Sequence, residues 1–189
     1  MKKSNNLFLT LLISGSMFIY SCDPPAQDGN TTEDTEEVTE AREERVSPLR
    51  TAQGTINGKE VKIQYGAPSV KNRTVWGDMA PYNEVWRTGA NEATNVDFSD
   101  DVTVQGRALP AGRYSVFTIP KESGPWTVIF NSEWDLEHGH FQYKEENDVL
   151  RVDVNPLKGQ QHQEQLEIKV EDPGIVIRWE EVTLPIEIK

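Results

Sequence analysis

From about residue 47 onward the hydrophobic positions recur with a period of two. Val61, Ile63 and Tyr65 alternate with Lys62 and Gln64, and Val102 and Val104 flank Thr103. The same alternation runs through Tyr114–Ile119, Trp126–Asn131, Leu150–Val154, Leu166–Val170, Ile175–Trp179 and Val182–Ile188. Each run is short, rich in β-branched or aromatic residues and bounded by turn formers, which is the pattern of β-strands. Asn57-Gly58 is a tight hairpin signal. Gln105-Gly106, Pro110-Ala111-Gly112 and Glu171-Asp172-Pro173-Gly174 mark further turns. No stretch carries the periodicity of a long amphipathic helix. The pattern predicts an all-β chain, a single antiparallel β-sandwich or jelly-roll-like domain over residues 47–189. Pro185 predicts that the last strand lies at a sheet edge, because proline gives no N–H to a ladder.

Two runs, Tyr114–Ile119 and Trp126–Phe130, are apolar on both faces. Such strands are central in a sandwich or are covered on their second face by the loop Gly66–Asn83. That loop is longer than the roughly 12 to 15 residues beyond which unstructured connections are uncommon unless functional.

The N-terminal part reads differently. Lys2 and Lys3 precede an uncharged apolar stretch from Leu7 to Tyr20, which ends in Ile19-Tyr20-Ser21-Cys22. Residues 1–21 are read as a lipoprotein signal peptide and Cys22 as the lipidation site, with a bacterial lipobox as the pattern matched. Cys22 is the only cysteine, so no intramolecular disulfide forms. Residues 22–46 are acidic and nearly devoid of apolar side chains, and are read as a lipid-anchored disordered linker. This places the protein in the bacterial cell envelope, on the periplasmic or cell-surface face. The partner expected is a membrane, through Cys22.

The formal net charge of −12 argues against nucleic acid as a partner, since phosphate neutralisation dominates that affinity. No phosphate-cradling glycine loop, nucleophile elbow or metalloprotease helix is present, so no catalytic residue is assigned and no cofactor is expected.

The stretch QYGAPSVKNRTVWGDMAPYNEVWRTGANEAT, followed in order by LPAGRYSVFTIP, WTVIFN and DVLRVDV, resembles the signatures of a bacterial domain-of-unknown-function family, the one numbered 2911. The resemblance covers most of residues 47–170. It implies a compact β-domain and an extracytoplasmic home. It implies no activity.

Within that stretch, Trp86 to Thr94 begins and ends like a strand but carries Arg87, Gly89, Asn91 and Glu92 in between. One reading is a binding-pocket floor, in which Arg87 meets a carboxylate or sugar hydroxyl oriented by Asn91 and Glu92. The other is an internal pin, in which Arg87 pairs with Glu92 or with backbone carbonyls while Gly89 supplies a tight turn or a positive φ. Arg73, Trp76 and Tyr82 on the preceding loop complete the candidate ligand-binding set with Arg87, Asn91 and Glu92. Trp134 lies in a loop and is a further stacking platform. His138 and His140 are metal-ligand candidates, since residues i and i+2 of a strand share a face, but no third ligand is evident. The functional reading is a non-enzymatic binding domain for a small polar ligand or glycan. The alternatives are an envelope structural or protein-interaction module, and a carboxylate-dependent hydrolase using Glu92. With 31 acidic residues in the chain, no particular carboxylate pair stands out.

Overall fold

The computed structural model describes residues 45–189. The expected signal peptide, Cys22 and the expected linker before Arg45 lie outside the described residues. Eleven strands and two short 3-10 turns follow in order. One sheet contains β1 (Leu49–Ile56), β2 (Lys59–Gly66), β3 (Thr94–Phe98), β6 (Gly112–Ile119), β7 (Trp126–Asn131) and β8 (Asp148–Val154), in the spatial order β1-β2-β3-β6-β7-β8. The second layer holds β9 (Gln163–Glu171), β10 (Gly174–Glu180) and β11 (Val182–Glu187), in the order β11-β10-β9. The hairpin of β4 (Val102–Val104) and β5 (Arg107–Leu109) joins this layer through a bridge between Val104 and Ile188. All strand pairings are antiparallel. The architecture is the all-β sandwich that the period-two pattern predicts.

The turn chemistry acts where the sequence placed it. Asn57 and Gly58 both take positive φ, 51° and 81°, and close the β1–β2 hairpin with Ile56 opposite Lys59. Gln105 and Gly106 do the same between β4 and β5, at 48° and 77°. Pro185 sits on the edge strand β11, opposite Val176 of β10, as its missing N–H requires.

The main core lies between the layers. Val61, Ile63, Val96, Val116, Val128 and Phe130 of the large sheet meet Leu166, Ile168, Ile177, Trp179, Leu184 and Ile186 of the small one. The doubly apolar strands β6 and β7 are explained by a second, smaller core. Their other face carries Phe117 and Ile129, which pack with Ala93 and Leu136 and with Val85, Ile119 and Tyr143. Phe117 and Tyr143 meet edge to face at 4.9 Å.

The cover over this face is therefore the 132–147 segment together with the residues around Val85 and Ala93. The loop Gly66–Asn83 plays a different part from the one expected. Its Val70, Val75 and Ala80 are buried in the main core, so it closes one end of the sandwich. The covering segment is fastened by polar groups. Tyr143 donates to Asp148 at 2.7 Å, Arg151 donates to the Tyr143 hydroxyl at 2.7 Å and to Asp148 at 2.6 Å, and Asn131 donates to Asp148 at 2.8 Å. Burial first, and then the hydrogen bond to Asp148, push the Tyr143 hydroxyl up to about 12. It thus stays protonated and remains a donor throughout the physiological range.

Candidate functional site

Trp86 and Thr94 both pair with β6. Trp86 exchanges backbone hydrogen bonds with Thr118, at 2.8 and 2.9 Å, while Thr94 lies opposite Val116. Two steps of chain separate those partners along β6, but eight steps separate Trp86 from Thr94. The strand along this edge is thus interrupted, and residues 87–93 are looped out of it. That is why the sequence begins as a strand, breaks and resumes.

The excursion is held mainly by its own backbone. Thr94 Oγ1 donates to the Thr88 carbonyl at 2.9 Å, the Ala90 N–H reaches the Gly66 carbonyl at 3.1 Å, and the Ala93 N–H reaches Leu136 at 2.9 Å. The positive φ values fall on Thr88 (56°) and Asn91 (65°), not on Gly89. Gly89 serves by being small: a Cβ there would lie 2.9 Å from both the Gly66 carbonyl oxygen and Thr94 Oγ1. Thr88 is β-branched, and a left-handed conformation is costly for it. Its side chain is fully buried, with Oγ1 3.4 Å from that of Thr118.

Arg87 takes the internal role. Its Nη1 donates to the Asn91 carbonyl at 2.6 Å, closing the loop, and its guanidinium lies 5.9 Å from the Phe141 ring centre. Burial lowers its pKa from the usual arginine value, and Glu92 partly offsets that. Gly139 presses against the stem of Arg87, where a Cβ would approach Cδ to 2.5 Å. Glu92 bonds elsewhere, accepting from Arg45 Nη2 at 2.6 Å. Burial opposes ionisation of Glu92. The Arg45 hydrogen bond, its own N–H and the charges of Arg45 and Arg87 outweigh that and hold the carboxyl below its usual range.

The six predicted ligand-binding residues therefore do not converge. Arg73 folds back on its own loop, donating to the Val70 carbonyl at 3.1 Å and to that of Ser69 at 2.6 Å. Arg87 and Asn91 bond to each other. Trp76 and Tyr82 share a depression at the end of the sandwich with Trp126. Glu92 lines a separate depression of about 180 Å³, beside the excursion.

This second depression brings together side chains from three elements. Gln64 comes from β2, Asn95 from β3, and Trp134, Asp135 and Glu137 from the covering segment. Trp134 is 38% exposed, and Arg113 lies over its ring at 4.6 Å. Arg113 is itself fixed by Asp97, at 2.9 and 3.2 Å. Arg113 thereby holds the indole from one face, and the residue stays partly exposed. Residues 47–188 match the model of a family described as a protein of unknown function, DUF2911. The chain belongs to this family. No curated protein and no solved structure matches it. The DUF2911 match spans the excursion and both depressions. Sequence reading missed Gln64 and Asn95, which look like ordinary outward strand positions until the fold sets them beside the covering segment.

His138 and His140 of this DUF2911 domain lie at the start of a 3-10 turn, Gly139–Gln142, not on a strand. The same-face argument for i and i+2 fails there, because 3-10 geometry advances the side chain by a third of a turn per residue. Among the described residues no group of three or more histidines, cysteines or carboxylates could hold a metal ion. His140 has a different signature. Burial, then the charge of Arg87, holds its imidazole below the ordinary value of about 6.5, with Glu84 opposing. Its Nδ1 is buried with no hydrogen-bond partner among the described residues. The unfolded chain binds the proton more readily, so His140 leaves stability intact above about pH 6.5 and reduces it as pH falls through the window below that value. Urea midpoints of the wild type should therefore drop in that window, and His140→Gln should flatten the drop. An unchanged pH profile in the variant would show that His140 titrates like a free imidazole.

Proposed function

We infer that this DUF2911 protein is a membrane-tethered binding domain, and that its ligand is a small polyhydroxylated molecule, a sugar or glycan end. The observation that carries the reading is the depression beside the excursion. It offers a fixed, half-exposed indole face, two amides and three carboxylates within about 180 Å³. Sugars combine an apolar ring face with a rim of hydroxyls. An aromatic platform flanked by amides and carboxylates matches both parts. Glu92 favours binding over turnover, because a carboxyl held below its usual range makes a poor general acid at neutral pH. The membrane tether is supported by the order of positive residues, apolar stretch and Cys22 at the start of the chain.

The test is thermal unfolding of the protein against a panel of mono- and oligosaccharides. A ligand should raise Tm in the wild type, and Trp134→Ala and Glu92→Gln should abolish the shift. The Arg45–Glu92 pair is partly exposed, with side-chain exposures of 35% and 43%, so Glu92→Gln by itself should cost no more than about 1 kcal/mol. A panel that produces no shift, or a shift untouched by either variant, would remove this depression as the site. For the tether, Cys22→Ser should move the protein from the membrane fraction to the soluble one. Retention in the membrane fraction would overturn the anchor.

A further inference from the structure

The other depression, at the end of the sandwich, has a different chemistry. Its walls are Trp76, Tyr82 and Trp126, and its rim carries Glu180, Glu181 and Lys158, around about 200 Å³. It shares no lining residue with the site proposed above. The aromatic wall is rigid. Trp76 packs on Trp126 at 4.7 Å, on Trp86 at 5.7 Å and on Trp179 at 5.7 Å. Trp126 is 1% exposed, and its Nε1 donates to the Lys121 carbonyl at 2.9 Å. Tyr82 is set against Gly77, where a Cβ would come within 2.9 Å of its ring.

The charge on the rim is unbalanced. Glu180 and Glu181 form the two-residue tip of the β10–β11 hairpin, and Glu180 is held at a φ of 54°. Among the described residues neither carboxylate forms an ion pair. Lys158, the one cation lining the depression, gives its ammonium to the carbonyl of Glu122. The rim thus sets two carboxylates against one ammonium, beside the partly exposed rings of Trp76 and Tyr82, on a protein whose net charge is −12. Aromatic faces present negative potential and attract desolvated cations, and quaternary ammonium groups are the ligands that aromatic cups select. The net charge of the rim favours a cation over an anion.

We propose that the Trp76–Tyr82–Trp126 depression is a second ligand site, and that it binds a small organic cation bearing a methylated ammonium group. Because the wall is already ordered, little conformational entropy is lost on binding. The trimethylammonium group sits against Trp76 and Tyr82, with Trp126 backing the wall, and the Glu180 and Glu181 carboxylates supply the counter-charge.

Calorimetric titration with choline tests this at constant ionic strength. Choline should bind, and its neutral carbon isostere 3,3-dimethylbutan-1-ol should bind at least about tenfold more weakly, because it fills the same space without charge. The double variant Glu180→Gln/Glu181→Gln lies on the hairpin tip, where Glu180 is partly exposed and Glu181 exposed, and should weaken choline by about tenfold while leaving unfolding unchanged. Tyr82→Ala should weaken it as well. Phosphocholine separates two sources of the same head group. Weaker binding than choline assigns the site to a free ammonium compound, and equal or tighter binding to a lipid head group whose phosphate meets Lys158. No heat with choline, equal affinity for the alcohol, or full affinity in the double glutamine variant would each overturn the proposal.

Discussion

Replacing Gly66 with alanine should destabilise the domain by about 3 kcal/mol, the upper end of what overpacking usually costs. Gly66 ends β2 and is buried, and an added Cβ would lie 2.0 Å from the Ala90 carbonyl oxygen and 2.9 Å from its carbon. Both obstacles are backbone, so no side chain can turn aside. Relief requires lifting the excursion off β2, which breaks the hydrogen bond from the Ala90 N–H to the Gly66 carbonyl. It also moves Ala93 away from Leu136 in the smaller core. Gly54→Ala is the control. On the neighbouring strand its new Cβ would meet the Val170 side chain at 3.1 Å, which can give by a few tenths of an ångström. Urea unfolding should show a large loss in midpoint for Gly66→Ala at unchanged slope, and little loss for Gly54→Ala. Equal midpoints for the two variants would mean that the excursion is not seated on β2.

Trp179→Ala should cost about 3–5 kcal/mol, as full truncation of a buried indole does. Trp179 is 1% exposed, stacks on Trp86 at 5.6 Å with an interplanar angle of 14°, and meets the edge of Trp76 at 5.7 Å. Its removal takes a wall from both neighbours at once. Trp179→Phe should cost less than half as much. Among the described residues the indole N–H of Trp179 has no hydrogen-bond partner, so phenylalanine gives up packing but no hydrogen bond. Near-ultraviolet circular dichroism should lose the signal of the coupled indoles in both variants. If alanine and phenylalanine cost the same, shape would not be what stabilises the cluster.

Much of this fold is legible in the sequence, because a half-buried strand writes its inward face as every second residue. β2, β6, β7, β8, β9, β10 and β11 all announce themselves in that way. β1 does not. Its residues Arg50, Thr51, Gln53 and Thr55 are polar on both faces, and it exists as a strand because Asn57-Gly58 folds it back on β2. The short β5, Arg107–Leu109, is likewise set by its turn. For the candidate site, residue type was legible and assembly was not. Arg87, Asn91 and Glu92 are close in sequence, yet Arg87 turns back to the Asn91 carbonyl while Glu92 reaches Arg45, because left-handed residues at Thr88 and Asn91 redirect the chain between them. Trp134 was readable as an exposed aromatic. Its neighbours Gln64 and Asn95 come from strands tens of residues away, and only the folded sheet brings them near. Trp76, read as a loop platform, is also a member of the four-tryptophan cluster. Glu180 and Glu181 carried no signal beyond being the tip of a hairpin.

The burial of β6 and β7 on both faces has a consequence for how the molecule breathes. Their backbone amides are flanked by β3 and β8 within the sheet, by the main core on one side and by the 132–147 cover on the other. Deuterium can reach these amides by two kinds of opening. Release of the Asp148 network would peel away the cover and expose the ring of Phe117, yet leave the ladder between β6 and β7 intact. The ladder itself yields only when the two layers part. Protection against exchange should thus fall into two tiers, with the cover exchanging through a partial opening and the central strands through complete unfolding. The cover also supplies Trp134, Asp135 and Glu137 to the depression beside the excursion. A ligand held there would restrain the cover, and slow exchange in that tier alone.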